Sequence, residues 1–419
     1  MPISDADLIA AVLTPEGFEL LQNTDPTAAN TEDQGIALNL ALRKAGHSPE
    51  LSSGVVHQIR LRHLAEAKLG TFAQRMIFTR AGLEQATRLQ VAAHHAERFR
   101  AAGLRRIADL GCGLGTDAMA LAALGADVTA VELDETTAAA ATINLLPFEN
   151  ARVVQADATS FDVSGFDGVW LDPARRVSSG GNTQRIFDPE AFSPPLSFVE
   201  SLANSGMPVG VKLGPGIPHA SVPLSCEAQW VSVDGDVTEV ALWFGALRRA
   251  DVRRSALVLT SEGAFELSSA LGFDDATRSG EPVPVSSISG YVYEPDGAVI
   301  RAGLVQSVAE SVGGTMLDPH IAYFMASSLV STPFARAYRV VEVRPYHVKS
   351  LRSWVKAAGI GVLEIKKRGL DVSPDELRKI LLAGTGTGSK SSNKSKKKAT
   401  LILTRVGDER VAIEVEPVA

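Results

Sequence analysis

The chain has 419 residues, 45% of them hydrophobic, two cysteines and a formal net charge of −7. That length exceeds what one hydrophobic core usually fills, so two or three globular units are expected, and Cys112 and Cys226 alone exclude a disulfide framework or a Cys-rich metal site. No basic leader with an apolar core and no run of about 18 apolar residues is found. A cytoplasmic protein with no metal and no membrane partner is expected, and its oligomeric state is left open.

Residues 1–100 read as a helical domain: Asp5 to about Arg100 is rich in Ala, Leu and Glu at helical spacing, and Leu83–Ala92 carries neither Gly nor Pro. Over residues 101–250 short apolar runs alternate with helical segments. The runs at 107–110, 128–131, 153–155, 168–171 and 209–213 are the pattern of a parallel sheet flanked by helices. The runs 229–233 and 239–244 flank Asp234-Gly235-Asp236, whose turn chemistry predicts an antiparallel edge hairpin. Residues 251–337 alternate strand-like pieces and turns and form a connecting region of α+β or β character without a chemical motif. Residues 338–419 read as strand (339–343), helix (348–358), strand (361–366), helix (374–382) and a final hairpin (400–404 and 410–416). Ser373 is the N-cap of the second helix and Pro374 its first residue. A disordered Lys-rich loop is expected at 384–398. The fold class is therefore α/β, a Rossmann-like sheet between an N-terminal helical domain and a small C-terminal α+β domain.

Three acidic positions follow the strands of the parallel sheet. The first strand ends in Asp109-Leu110-Gly111-Cys112-Gly113-Leu114-Gly115, and a helix begins at Thr116. Glycines there let the chain turn tightly and let a ligand approach main-chain atoms. A dinucleotide fingerprint places its third glycine at the sixth position, where this chain has Thr116; its third glycine is the fifth, Gly115, which favours S-adenosylmethionine over a nicotinamide cofactor. The second strand ends in Glu132, at the spacing where an acidic side chain accepts both ribose hydroxyls. The third leads to Asp157-Ala158. The loop resembles that of class I methyltransferases. This resemblance implies that Asp109, Gly111 and Gly113 hold the amino acid and sugar of the cofactor, and that Asp157 and Ala158 hold its adenine.

The fourth strand ends in Asp172-Pro173-Ala174-Arg175, at the sheet edge where ligands of open α/β folds bind. A carboxylate there accepts the hydrogens of an amine and directs its lone pair at the methyl group, and Pro173 stops the strand and keeps Asp172 extended. The motif resembles the Asp-Pro-Pro-aromatic element of amino-group methyltransferases, specifically of the trimethylguanosine synthase group. Ala174 replaces the second proline. Arg175 replaces the aromatic residue, so a base would be held by guanidinium stacking or a phosphate contact. Phe78-Thr79 resembles the segment that precedes the Rossmann domain in that group and is expected to border the methionine end of the cofactor.

Between Arg344 and Lys398 there are fourteen basic and four acidic residues, a net +10 that leaves −17 for the rest. Such segregation is the footprint of a phosphate-backbone partner, with Arg344, Lys349, Lys366, Lys367 and Arg368 as the contact residues. The region from about Tyr338 onward resembles the THUMP-like domain appended to bacterial class I methyltransferases, and the resemblance implies an RNA partner, rRNA or tRNA. Together these readings predict a methyltransferase acting on a base nitrogen of structured RNA. The alternatives are a small-molecule or protein methyltransferase, or a catalytically silent RNA-binding factor that retains the cofactor.

Overall fold

The computed structural model describes residues 4–174, 176–179, 182–185, 188–273, 282–383 and 397–418. Arg175 and the low-complexity stretch 384–396 lie outside the described residues. The chain divides into two compact units, Met1–Glu227 with Val240–Ala250, and Ala228–Glu239 with Asp251–Ala419.

The first unit opens with helices α1 (Asp5–Val12), α2 (Pro15–Asn23), α3 (Glu32–Lys44), α4 (Pro49–Leu69), α5 (Arg80–Gln85) and α6 (Leu89–Ala101). Their starts are written in the sequence. Ser4 with Asp7 and Thr31 with Gln34 form capping boxes, and Thr14, Ser48 and Thr79 cap α2, α4 and α5 through their hydroxyls. The long α4 buries Leu51, Val55, Ile59 and Ala65, and two of its polar side chains are also buried. Gln58 exchanges hydrogen bonds with the main chain of Phe78 (2.7 and 3.0 Å), and Arg62 donates to the carbonyl of Met76 (2.9 Å). Burial pulls the Arg62 guanidinium down to a pKa of about 10.

Next come β1 (Arg106–Leu110), α7 (Thr116–Ala123), β2 (Asp127–Glu132), α8 (Glu135–Leu145), β3 (Ala151–Gln155) and β4 (Gly168–Leu171). A short antiparallel pair, β5 (Arg176–Ser179) and β6 (Asn182–Arg185), precedes α9 (Leu196–Asn204) and β7 (Val209–Leu213). In the sheet β1 lies between β2 and β4, with β3 outside β2 and β7 outside β4, all parallel. The hairpin of β8 (Glu227–Val233) and β9 (Asp236–Trp243) follows. Val240–Trp243 of β9 runs antiparallel to β7, as the turn chemistry predicts.

In the second unit β8 turns into β9 through Asp234 and Gly235, both at positive φ (51° and 91°), the geometry of a two-residue hairpin turn. The expected edge is covered. β8 is buried at every residue and takes a parallel neighbour, β10 (Arg254–Thr260), which pairs antiparallel with β11 (Gly263–Ser269). A second sheet joins β12 (Tyr291–Pro295), β13 (Thr315–Asp318), β14 (Ile321–Ala326), β15 (Ala335–Pro345), β16 (Ile360–Lys367), β17 (Lys397–Val406) and β18 (Glu409–Pro417) in the order 13-14-12-15-18-17-16. Helices α10 (Gly297–Arg301) and α11 (Val305–Ser311) lie between β12 and β13, and α12 (Val348–Ala357) and α13 (Pro374–Leu382) flank β16. Leu351, Val355, Leu377 and Leu381 of α12 and α13 pack on Leu363, Ile365, Leu401 and Leu403. Lys397 and Lys398, expected in the Lys-rich loop, are strand residues of β17, where they pair in parallel with Ile360 and Val362.

Candidate functional site

Register assembles the cleft. Leu110, Val131 and Leu171, the residues that close or nearly close β1, β2 and β4, sit side by side, so the chain leaves all three strands at one edge. Gly111, Glu132 and Asp172 therefore converge there, and Glu132 lies opposite Gln155, which brings Asp157 alongside. Gly111, Gly113 and Gly115 all have positive φ (80°, 55° and 82°). A Cβ on Gly111 would stand 3.3 Å from the carbonyl oxygen of Asp172, so the first glycine also lets the two loops approach. The result is a cleft of about 570 Å³ whose wall includes Thr79, Gln85, Thr87, Gly113, Asp117, Glu132, Asp157, Ala158, Asp172 and Ala174.

The carboxylates differ in their surroundings. Asp109 lies behind the cleft wall, 1% exposed, and among the described residues neither of its oxygens meets a donor. Burial, and then Asp117 and Asp172 nearby, push its pKa well above the usual carboxylate range. Glu132 accepts from the backbone N–H of Gly113 and of Asp134, each at 3.0 Å; burial raises it, and these bonds oppose the rise. Asp157 is exposed, and the Thr159 N–H and hydroxyl hold one of its oxygens at 2.8 and 2.7 Å and lower its pKa.

Beneath the rim lies a network that sequence reasoning missed. Asp172 is ion-paired to Lys212, a buried residue of β7. Lys212 Nζ also donates to Thr87 Oγ1 (2.9 Å) and to the carbonyl of Gln85 (3.4 Å). Thr87 in turn donates to Asp117 (2.6 Å), whose other oxygen is 2.8 Å from His95 Nδ1. Burial alone would raise Asp117, but His95, Lys212 and Thr87 hold it below the usual carboxylate range. The His95 ring lies against Trp170 at 4.3 Å between centroids, and Trp170 lies 5.5 Å from Trp243. The signal for Lys212 was a single charge inside a strand otherwise apolar, Val209-Gly210-Val211-Lys212-Leu213.

A methyltransferase domain family matches residues 107–177, a THUMP domain-like family matches 335–417, and a domain of unknown function matches 5–65. Two curated proteins of Mycobacterium tuberculosis, from strains CDC 1551 / Oshkosh and ATCC 25618 / H37Rv, are each 32% identical over 339 residues, 78% of this chain and 88% of theirs. Each is named an uncharacterized S-adenosylmethionine-dependent methyltransferase. The chain belongs to the S-adenosylmethionine-dependent methyltransferases. Its fold is also similar to the crystal structure of a candidate methyltransferase from Porphyromonas gingivalis W83, with a TM-score of 0.71, 22% identity and both chains fully covered.

The residues of this methyltransferase fit S-adenosylmethionine. The cofactor brings an electrophilic methyl group on a cationic sulfur, together with an ammonium group. Asp109, buried without a donor, is stabilised by a nearby cation, and the open face of Gly113, where an added Cβ would meet nothing within 4 Å, leaves room at the loop.

Other expected residues fall in different places. Thr79 is on the cleft wall and caps α5 by accepting from Gly82 N–H (2.9 Å). Phe78, expected to border the cofactor, is not among the lining residues: its side chain is fully buried in the core and its main chain is held by Gln58. Pro173 is buried behind the rim. Ala174 exchanges main-chain hydrogen bonds with Ser193 (2.8 and 3.1 Å), so its backbone fixes the loop, while Asp172 lines the cleft. Arg175 lies outside the described residues.

In the THUMP-like region most of the expected contact residues are committed to acidic partners. Arg344 is paired with Glu342 and with Glu414 (2.9 Å) and lies over the Trp354 ring at 4.7 Å. Lys366 and Arg368 converge on Glu294, at 2.8 and 3.7 Å. Burial opposes the charge of Lys366, but the bond to Glu294 outweighs it and raises the pKa. Lys349 and Lys367 are exposed, the latter within 3.4 Å of the Leu370 carbonyl. Among the described residues no cluster of His, Cys, Asp or Glu could hold a metal ion, and no helix is long and apolar enough to cross a membrane.

Proposed function

We propose that this methyltransferase transfers the methyl group to a nitrogen on a base of structured RNA, rRNA or tRNA, in the cytoplasm. The observation that carries the reading is Asp172, whose carboxylate stands a quarter exposed at the rim of the cofactor cleft. An amine that donated its hydrogens to that carboxylate would turn its lone pair toward the methyl group that S-adenosylmethionine would supply, and would lose a proton on being methylated. That proton would pass to solvent. In this reading Asp109, Gly111, Gly113, Glu132, Asp157, Ala158 and Thr79 hold the cofactor. The Asp172-Pro173 pair and its likeness to the trimethylguanosine synthase element support an amino acceptor, the THUMP-like domain and net charge of +10 support RNA, and two free cysteines support a reducing compartment.

Mass spectrometry of nucleosides from cells with and without the protein tests the reading. One methylated nucleoside should disappear; an unchanged set would overturn it. A second reading has its own support: with Arg344, Lys366 and Arg368 already paired, the domain offers fewer cations than its sequence suggests, which suits a protein or small-molecule acceptor. Salt separates the two, because an RNA held through several phosphates loses affinity steeply between low and physiological salt.

A further inference from the structure

We infer that Lys212 is a positioning residue for methyl transfer, which ties the acceptor-side carboxylate of Asp172 to the Gln85–Thr87 segment of the cofactor cleft. The inference takes the placement of the acceptor at Asp172 from the proposed function; the assignment to RNA is not needed.

Lysine is almost never fully buried unless paired, and this one sits in a strand whose five residues are all buried. An ammonium group has three donors, and Lys212 meets three acceptors of different kinds: a carboxylate, a hydroxyl and a carbonyl. Thr87 has one hydroxyl hydrogen. Because that hydrogen goes to Asp117, the hydroxyl must accept from Lys212, so the direction of every bond along Asp172, Lys212, Thr87 and Asp117 is fixed. Asp172, Thr87 and Gln85 all lie on the cleft wall. The Gln85–Thr87 segment begins at the last residue of α5, and Lys68 also holds that helix's end by donating to the carbonyls of Leu83, Glu84 and Ala86 (2.7, 2.9 and 3.3 Å). A lysine kept only for stability would be replaceable, since a buried ion pair is often no more stable than apolar residues of the same volume. Its value here is geometric: one side chain holds two lining segments in register.

Binding of S-adenosylhomocysteine, followed by calorimetry, and hydrogen exchange of the Leu83–Arg88 amides test this without any acceptor. Lys212→Met should weaken binding about tenfold, the effect of losing one charge-assisted hydrogen bond, and speed exchange in that segment. Lys212→Arg should restore most of both. Asp172→Asn should also speed exchange at Gln85–Thr87, because the coupling runs through Lys212. If Lys212→Met fails to fold, the Lys212→Met/Asp172→Asn double variant, which removes both charges, carries the same measurements. Wild-type affinity and exchange in Lys212→Met would overturn the inference, and so would an Asp172→Asn protein whose Gln85–Thr87 amides exchange as in wild type. Neither result bears on whether the acceptor is RNA.

Discussion

Asp109 is a buried acid with no hydrogen-bond donor among the described residues. Its folded pKa lies above the ordinary carboxylate value, so it favours folding below that value, and the contribution is lost as pH rises and the unfolded chain ionises more readily. A bound ammonium reverses the preference. Cofactor binding should then release a proton, and the calorimetric enthalpy of S-adenosylhomocysteine binding should vary with the ionisation enthalpy of the buffer. Asp109→Asn should abolish that variation and weaken binding. The groups facing Asp109 are Asp117, Asp172, Lys212 and Glu132, and only Lys212 opposes the shift. Asp109, Glu132 and Asp157 were legible in the sequence because each stands at or just past the end of a strand. Lys212 was not, because Thr87 and Gln85 lie 125 and 127 residues away, and no local pattern encodes such a pairing. Asp117 was hidden differently: at the start of α7 it reads as an ordinary residue of a helix's first turn.

At the scale of elements, the cofactor loop is braced by Asn144 of α8. Its side chain accepts from Ile77 N–H (2.7 Å) and donates to the carbonyls of Ile77 (3.1 Å) and Leu114 (3.0 Å), so one buried amide joins the segment before Thr79 to the glycine loop. Asn144→Ala should cost about 2–4 kcal/mol, measured by denaturant unfolding, because buried main-chain groups lose their partner. At the other end of the sheet Asp167 accepts from the N–H of Arg106 (2.9 Å) and from its guanidinium, which with Arg105 brings its pKa to about 2. The folded value lies below the ordinary one, so this stability is present above pH 3.8 and lost as pH falls toward 2. The pair is largely exposed and screened, so Asp167→Asn should cost no more than about 1 kcal/mol at pH 7, with the difference closing in acid. Strands and caps were legible because alternation and Ser/Thr caps are local signals. The partner of β8 was not, since a strand buried at every residue shows that it is covered and not by what.

For the whole molecule the question is where the positive charge is available. Sequence counting assigned +10 to one region, and the fold commits part of it to Glu294 of β12, Glu414 of β18 and Glu342, two residues before Arg344 on β15. Lys349 and Lys367 remain exposed, and Arg352 and Lys356 share α12 with Lys349. If RNA is the partner, Lys349→Glu and Lys367→Glu should each weaken binding across sequences and reduce the salt slope by about one, as read by filter binding to bulk tRNA at several salt concentrations. Arg344→Glu should instead lower the melting temperature, because it leaves Glu342 and Glu414 facing a third carboxylate.

The aromatic stack beside the network has an optical consequence. Trp170 and Trp243 are fully buried 5.5 Å apart, with His95 against the first of them. Two indoles that close couple their electronic transitions, and a neighbouring imidazole quenches indole emission more strongly when it is protonated. The protein thus carries a native reporter: near-ultraviolet circular dichroism should show a couplet from this pair, and His95 should quench the emission of Trp170, without any label being introduced.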